Sequence, residues 1–440
     1  MKIMFVSLGC DKNLTDTEEM LGILGALGYE FTNDELEADI IVINSCCFIN
    51  DAKEESINTI LEMAEYKTNG KLKALIVTGC LAERYKDEII KEIPEVDAIV
   101  GTSSYDSIAE VIKKVLAGES VQEFKDLNRL PEITTNRLVT TGGYYAHLKI
   151  AEGCDKHCTY CIIPKIRGKY RSVPMENLVK QAEYLASIGV KELILVAQET
   201  TIYGKDLYGE KSLHILLKKL SAIREIKMIR IMYCYPEEIY DELIDVIAEE
   251  KKICHYLDMP IQHCSDGILK RMGRRTSKEE LIATVNKLRE RIPDIVLRTT
   301  LIAGFPGETE KEHEEMLQFV DEMEFDRLGV FTYSPEEDTP AANMDNQIDE
   351  EVKEAWRDDI MELQQEIAFE KSESMIGREL LVMVEGKIAN EPAYIGRTYM
   401  DAPGIDGNIF INTGEAFMSG DLVMVKVIGA NEYDLIGEVL

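Results

Sequence analysis

Cys154-Asp155-Lys156-His157-Cys158-Thr159-Tyr160-Cys161 sets three thiols in C-x3-C-x2-C spacing, directly after an apolar run at 147–151 and Gly153. Thiolates are soft ligands suited to iron, and a four-iron cluster has four irons to ligate. Three protein thiols would leave one iron open to a group that is not protein. A structural zinc site built from the same cysteines and His157 is the alternative, but such sites usually draw on two separated ligand pairs rather than one tight cluster.

Outward from this stretch, strand-like and helix-like patterns alternate six times. The expected strands are 147–151, 193–197, 228–234, 256–261, 296–303 and 328–333, with amphipathic helices between them. Six β/α units are two short of a closed barrel. The expectation is therefore an open (β/α)6 partial TIM barrel, with a lateral opening wide enough for a loop of a macromolecule. Parallel strands would bring their carboxyl ends to the rim that carries the cysteines. Gln198, Glu199 and Thr200 follow the second strand, Gln262 follows the fourth, and Arg298, Ile302 and Gly304 belong to the fifth. These residues, with Tyr160 inside the cysteine loop, are the candidate cofactor-binding set. Gln198 or Glu199 would hold an ammonium, Arg298 a carboxylate, and Gly304 would let a ligand approach the backbone. His263 and His313 are read as structural; His313 has no second histidine four residues on. The basic groups at 165–171 and 270–275 are read as solvated edges or carboxylate partners.

Residues 1–117 also alternate strand and helix, with β-branched runs at 3–7, 40–44, 75–78 and 98–100. Their unbroken apolar character predicts strands buried on both faces of a parallel α/β sheet. Three of these strands run into cysteines, Cys10, Cys46 and Cys80, which would converge at one sheet edge as a second site with an open position. Cys47 competes with Cys46, and strand alternation favours Cys46.

Residues 118–139 read as a linker and 140–371 as the core, ending in a long charged helix from about residue 348. Residues 372–440 change to period two, giving five short strands of a small all-β barrel. The net charge of −32 repels phosphate backbones and attracts basic proteins. From Lys371 to Leu440 there are eleven acidic and five basic residues, so this module is itself acidic where a tRNA-holding module is expected to be basic. Ten cysteines clustered near strand ends suit a reducing compartment. The lack of a signal peptide or membrane-length apolar stretch completes a cytoplasmic reading.

The motifs Ser7-Leu8-Gly9-Cys10-Asp11-Lys12-Asn13, Asn44-Ser45-Cys46 and Thr78-Gly79-Cys80, together with Cys154–Cys161, resemble the radical S-adenosylmethionine methylthiotransferases over essentially the full chain. The lysine form of the first motif, with 196–201 and 333–337, is similar to the branch acting on an aspartate of small-subunit ribosomal protein twelve. The tRNA-adenosine branch is the alternative. Asp11 stands where the family usually has proline, Cys47 where it has a small residue, and Glu199 where aspartate is usual. The resemblance implies an N-terminal cluster domain, a radical core and a C-terminal TRAM barrel. It implies two 4Fe-4S clusters, held by Cys10, Cys46, Cys80 and by Cys154, Cys158, Cys161. It also implies two molecules of S-adenosyl-L-methionine per turnover. The implied partners are a basic ribosomal protein, free or ribosome-bound, an electron donor and a sulfur donor, with tRNA disfavoured and no membrane.

Overall fold

A computed structural model describes residues 1–132 and 137–440. The first unit is a six-stranded parallel sheet of β1 (Lys2–Ser7), β2 (Glu30–Phe31), β3 (Ile40–Ser45), β4 (Ala74–Gly79), β5 (Ala98–Val100) and β6 (Val121–Glu123). The strands lie in the order β2-β1-β3-β4-β5-β6. Every residue of β3 and β4 is buried, because apolar clusters cover both sheet faces. That is why these strands read as continuous apolar runs rather than alternating ones. β6 lies in the stretch read as linker and closes the sheet edge beside β5.

The second unit contains β7 (Tyr145–Lys149), the short pair β8 (Ala151–Glu152) and β9 (Arg171–Ser172), β10 (Glu192–Val196), β11 (Met228–Ile231), β12 (Ile253–Asp258), β13 (Val296–Ala303) and β14 (Arg327–Thr332). Six of these form one parallel sheet in the order β14-β13-β12-β11-β10-β7, so the expected open (β/α)6 arrangement is present. The long helix Glu350–Ser374 packs on β13 and β14 and leads to the last unit. There β15 (Glu379–Lys387), β16 (Ala393–Arg397), β17 (Ile409–Asn412), β18 (Leu422–Asn431) and β19 (Asp434–Val439) close a barrel.

This small barrel plugs the amino-terminal end of the core sheet, away from the cysteine rim. Buried Glu192 opens β10 and takes hydrogen bonds from Arg230 (2.9 Å) and from Arg397 of the small barrel (2.8 Å). Arg230 in turn donates to the carbonyls of Tyr399 and Thr398. Asp401 pairs with Arg327 at 2.6 Å, and Asp406 accepts from Tyr256 at 2.7 Å. Part of the acidity of this module is thus spent internally, while Glu379, Glu391, Glu415 and Glu432 remain exposed. Among the described residues no helix is long and apolar enough to cross a membrane.

Candidate functional site

The first three cysteines converge because their strands end in step. Ser7 is in register with Asn44, and Ser45 with Gly79, so Cys46 and Cys80 leave adjacent strands at the same level. Cys10 reaches them through a tight loop. Gly9 has φ +86°, and a Cβ there would lie 2.7 Å from the Cys46 sulfur, so only glycine permits this approach.

Asn13 pins the loop down. Its amide donates to the carbonyls of Leu8 (2.9 Å) and Ser45 (3.1 Å), and its Oδ1 accepts from Arg167. Asn44 donates to the carbonyl of Asn13 at 2.7 Å, and Ser56 holds both the amide and the carbonyl of Cys46. Sequence reasoning named the thiols but not Asn13, Asn44 and Ser56 as the frame that orients them. Cys46 and Cys80 lie in the electrostatic reach of Cys10 and of Arg167. Cys47 is fully buried in the apolar cluster that also holds Cys80, with its carbonyl held by Arg84. Burial pushes the Cys47 thiol up to about 12.

The second triad is held by the loop after β8. The Cys154 amide donates to the carbonyl of Gly168 (3.1 Å), Thr159 bonds the carbonyls of Met272 and Arg271, and the Cys161 amide donates to that of Cys158. His157 is exposed, with φ +54°. Burial pushes Cys154 up to about 11 and Cys161 higher still.

Of the rim residues, Gln198 and Glu199 stand closest to the expected role. Gln198 Oε1 and Glu199 Oε2 are buried without a hydrogen-bond donor, while Glu199 Oε1 accepts from Thr201 at 2.9 Å. Burial pushes the Glu199 carboxyl up to about 7, against the hydrogen bonds of Thr201 and the charge of Lys156. Lys156, inside the cysteine loop, lies 3.8 Å from Glu199 Oε2 and 2.5 Å from Glu238. Gln198 Oε1, with no donor, and Glu199 Oε2, which faces only the Lys156 ammonium, would fit an ammonium group.

The other assignments divide. Thr200 turns its hydroxyl to the Met232 carbonyl, 2.8 Å away, and so serves the backbone. Arg298 does not present a free guanidinium to a ligand carboxylate, because Asp258 (2.8 Å) and Asp406 (3.2 Å) already engage it. The close approach expected at Gly304 is taken by the Lys353 stem, 2.2 Å from where a Cβ would sit. Tyr160 and Ile302 pack with Phe305 and Tyr333 in an aromatic wall beside the loop. Gln262 adopts φ +72° and bridges to Leu301 through its backbone. His263 is buried beside Glu308 (3.3 Å), and His313 stacks on Trp356.

Two tyrosines after β11 face the two cysteine loops, Tyr233 at Lys12 and Asp11 and Tyr235 at Cys158, and neither was singled out in the sequence. Tyr235 sends its hydroxyl to within 3.7 Å of the Cys158 sulfur and is flanked by Lys156 and Arg274. Tyr233 faces the other way, with its ring under the Lys12 ammonium and its hydroxyl 3.5 Å from Asp11. Its φ of +59° is strained for an aromatic residue; its amide donates to Asp258 and its carbonyl accepts from Thr200. The units are locked by a buried ionic network in which Arg167 pairs with Asp16 (2.8 Å) and Glu152 (3.3 Å), and Lys149 joins the same two carboxylates.

Residues 148–320 match the Radical SAM superfamily, residues 376–440 the TRAM domain, and residues 2–101 the uncharacterized protein family UPF0004. The fold is also that of the radical S-adenosylmethionine methyltransferase TsrM from Kitasatospora setae, solved with cobalamin and a [4Fe-4S] cluster bound. The TM-score is 0.56 over 77% of this chain and 76% of that one, at 13% identity. Fold and cysteine loop together define a radical S-adenosylmethionine enzyme. The ribosomal protein uS12 methylthiotransferase RimO of Lachnoclostridium phytofermentans is 68% identical over 99% of both chains. That of Acetivibrio thermocellus is 52% identical, covering 100% of this chain and 98% of its own. The chain belongs to the RimO family of methylthiotransferases.

Proposed function

We propose that this chain converts a C–H bond at the β-carbon of an aspartate in small-subunit ribosomal protein uS12 into C–SCH3. It would use two 4Fe-4S clusters and two molecules of S-adenosylmethionine per turnover, and work in the reducing cytoplasm with separate electron and sulfur donors. What supports this reading is that Cys46 and Cys80 leave adjacent strands at one level with Cys10 looping to them, that Cys154, Cys158 and Cys161 share the loop after β8, and that Tyr235 lies beside Cys158 and Tyr233 beside Asp11. A β-carbon beside a carboxylate has no readily removable proton, so the chemistry calls for hydrogen-atom abstraction, which the bound cofactors supply.

The protein's own part is to hold and orient. Cys154, Cys158 and Cys161 would hold one cluster, with Gln198 Oε1 and Glu199 Oε2 accepting from the methionine ammonium. Cys10, Cys46 and Cys80 would hold the other, framed by Asn13 and Asn44. The Arg167 network fixes the distance between the two by joining the units that carry them. The exposed carboxylates of the small barrel suit a lysine- and arginine-rich substrate, free or assembled in the ribosome.

Reconstituted enzyme given uS12, reductant and a sulfide source is expected to add about 46 mass units to one aspartate, the methylthio group replacing hydrogen. Mass gained by tRNA adenosine instead of uS12 would overturn the substrate assignment. The choice of first-site ligand is tested separately. Cys46→Ser is expected to lose the iron of the N-terminal site, whereas Cys47→Ser should keep its full iron content, because strand alternation sends the two neighbours to opposite faces.

A further inference from the structure

A buried lysine without a carboxylate partner stands beside the first cysteine site. Lys12 is 6% exposed, two residues after Cys10, and its ammonium lies 3.4 Å from the centre of the Tyr233 ring. Other cations that reach into the two triads are paired. Lys149 and Arg167 meet Asp16 and Glu152, Lys156 meets Glu238, Arg274 lies 3.6 Å from Glu237, and Arg298 is held by Asp258 and Asp406. Among these described residues, Lys12 alone has no carboxylate oxygen within 4.0 Å.

A buried ammonium satisfied mainly by a ring face keeps unused capacity for an anion, since cation–π attraction replaces only part of its hydration. The strained backbone of Tyr233 keeps that ring beneath it. Asp11, the nearest carboxylate in sequence, is turned toward His147 (3.5 Å) and the Tyr233 hydroxyl.

We propose that Lys12, held over Tyr233 beside Cys10, receives the side-chain carboxylate of the substrate aspartate and so presents its β-carbon to the first cysteine site. The inference rests on the reading above that the substrate is an aspartate. In that reaction the carbon to be modified is bonded directly to the carboxylate. A cation that grips the carboxylate therefore sets the position of that carbon to within about 3 Å, and it distinguishes aspartate from its amide.

The test compares binding of fluorescently labelled uS12, and of uS12 with the target aspartate changed to asparagine, to reconstituted full-length enzyme. Wild type is expected to bind the aspartate form more tightly. Lys12→Met should lose about tenfold or more of that affinity and bind both forms alike, with iron content unchanged. Lys12→Arg should restore part of the discrimination. Lys12→Met that still discriminates overturns the proposal, as does a loss of iron from Lys12→Met, which would assign the lysine to the cluster. Failure of the underlying reading is recognised in the wild type itself, as no mass gain on uS12.

Discussion

Alanine at Cys154, Cys158 and Cys161 together is expected to leave about half the iron of the fully loaded protein and to abolish formation of 5′-deoxyadenosine. The two triads sit on different units, and each has its own frame. Asn13, Asn44 and Ser56 orient the first, and the Gly168, Met272 and Arg271 carbonyls orient the second. No hydrogen bond of the first frame runs through Cys154, Cys158 or Cys161, so emptying the second site should spare the first. Iron and acid-labile sulfide analysis with anaerobic visible spectroscopy measures this directly. Complete loss of iron would mean that the N-terminal thiols hold none, and full retention would mean that the core thiols hold none.

The second large effect concerns stability. Glu192→Ala is expected to destabilise the protein by about 3 kcal/mol, because it leaves the Arg230 guanidinium buried with no carboxylate and takes from Arg397 one of its two, Glu385 remaining. Burial alone would raise the Glu192 pKa, but Arg397 and Arg230 outweigh it and hold the carboxyl below its ordinary value. A depressed folded-state pKa contributes stability that is fully present above the unfolded value of about 4.3 and is lost as the pH falls through the folded one. Wild type should therefore lose this contribution only in acid, while Glu192→Ala lacks it at every pH. Calorimetry at neutral pH and in mild acid checks both statements. Because Arg397 belongs to the small barrel, the variant should also expose the Glu350–Ser374 helix to limited proteolysis, as the barrel separates from the core. Equal melting of Glu192→Ala and wild type would show that the pair adds nothing beyond what its desolvation costs.

The cysteine spacing at 154–161, the three strand-end cysteines and the six strand–helix repeats were legible because each is local. A strand buried on both faces must be apolar throughout, and a strand that ends in Cys carries that thiol to the sheet edge wherever the sheet goes. The period-two barrel at the C-terminus was legible for the same reason. Partnership was not legible, since it is decided by which charge arrives from elsewhere in the chain. Arg298 read as a ligand for a carboxylate, yet Asp406 reaches it from a module more than one hundred residues later. Gly304 read as a gap for a ligand, and the Lys353 stem fills it. Lys12 drew notice only as a letter in a motif, and the folded chain gives it the ring of Tyr233 and no carboxylate. By itself the sequence determined the three units, the six candidate cluster thiols and the acidic character of the chain. Only the tertiary structure decided which buried charges are already neutralised and which remain to meet a substrate, because that balance depends on distances of a few ångströms between residues far apart in the chain.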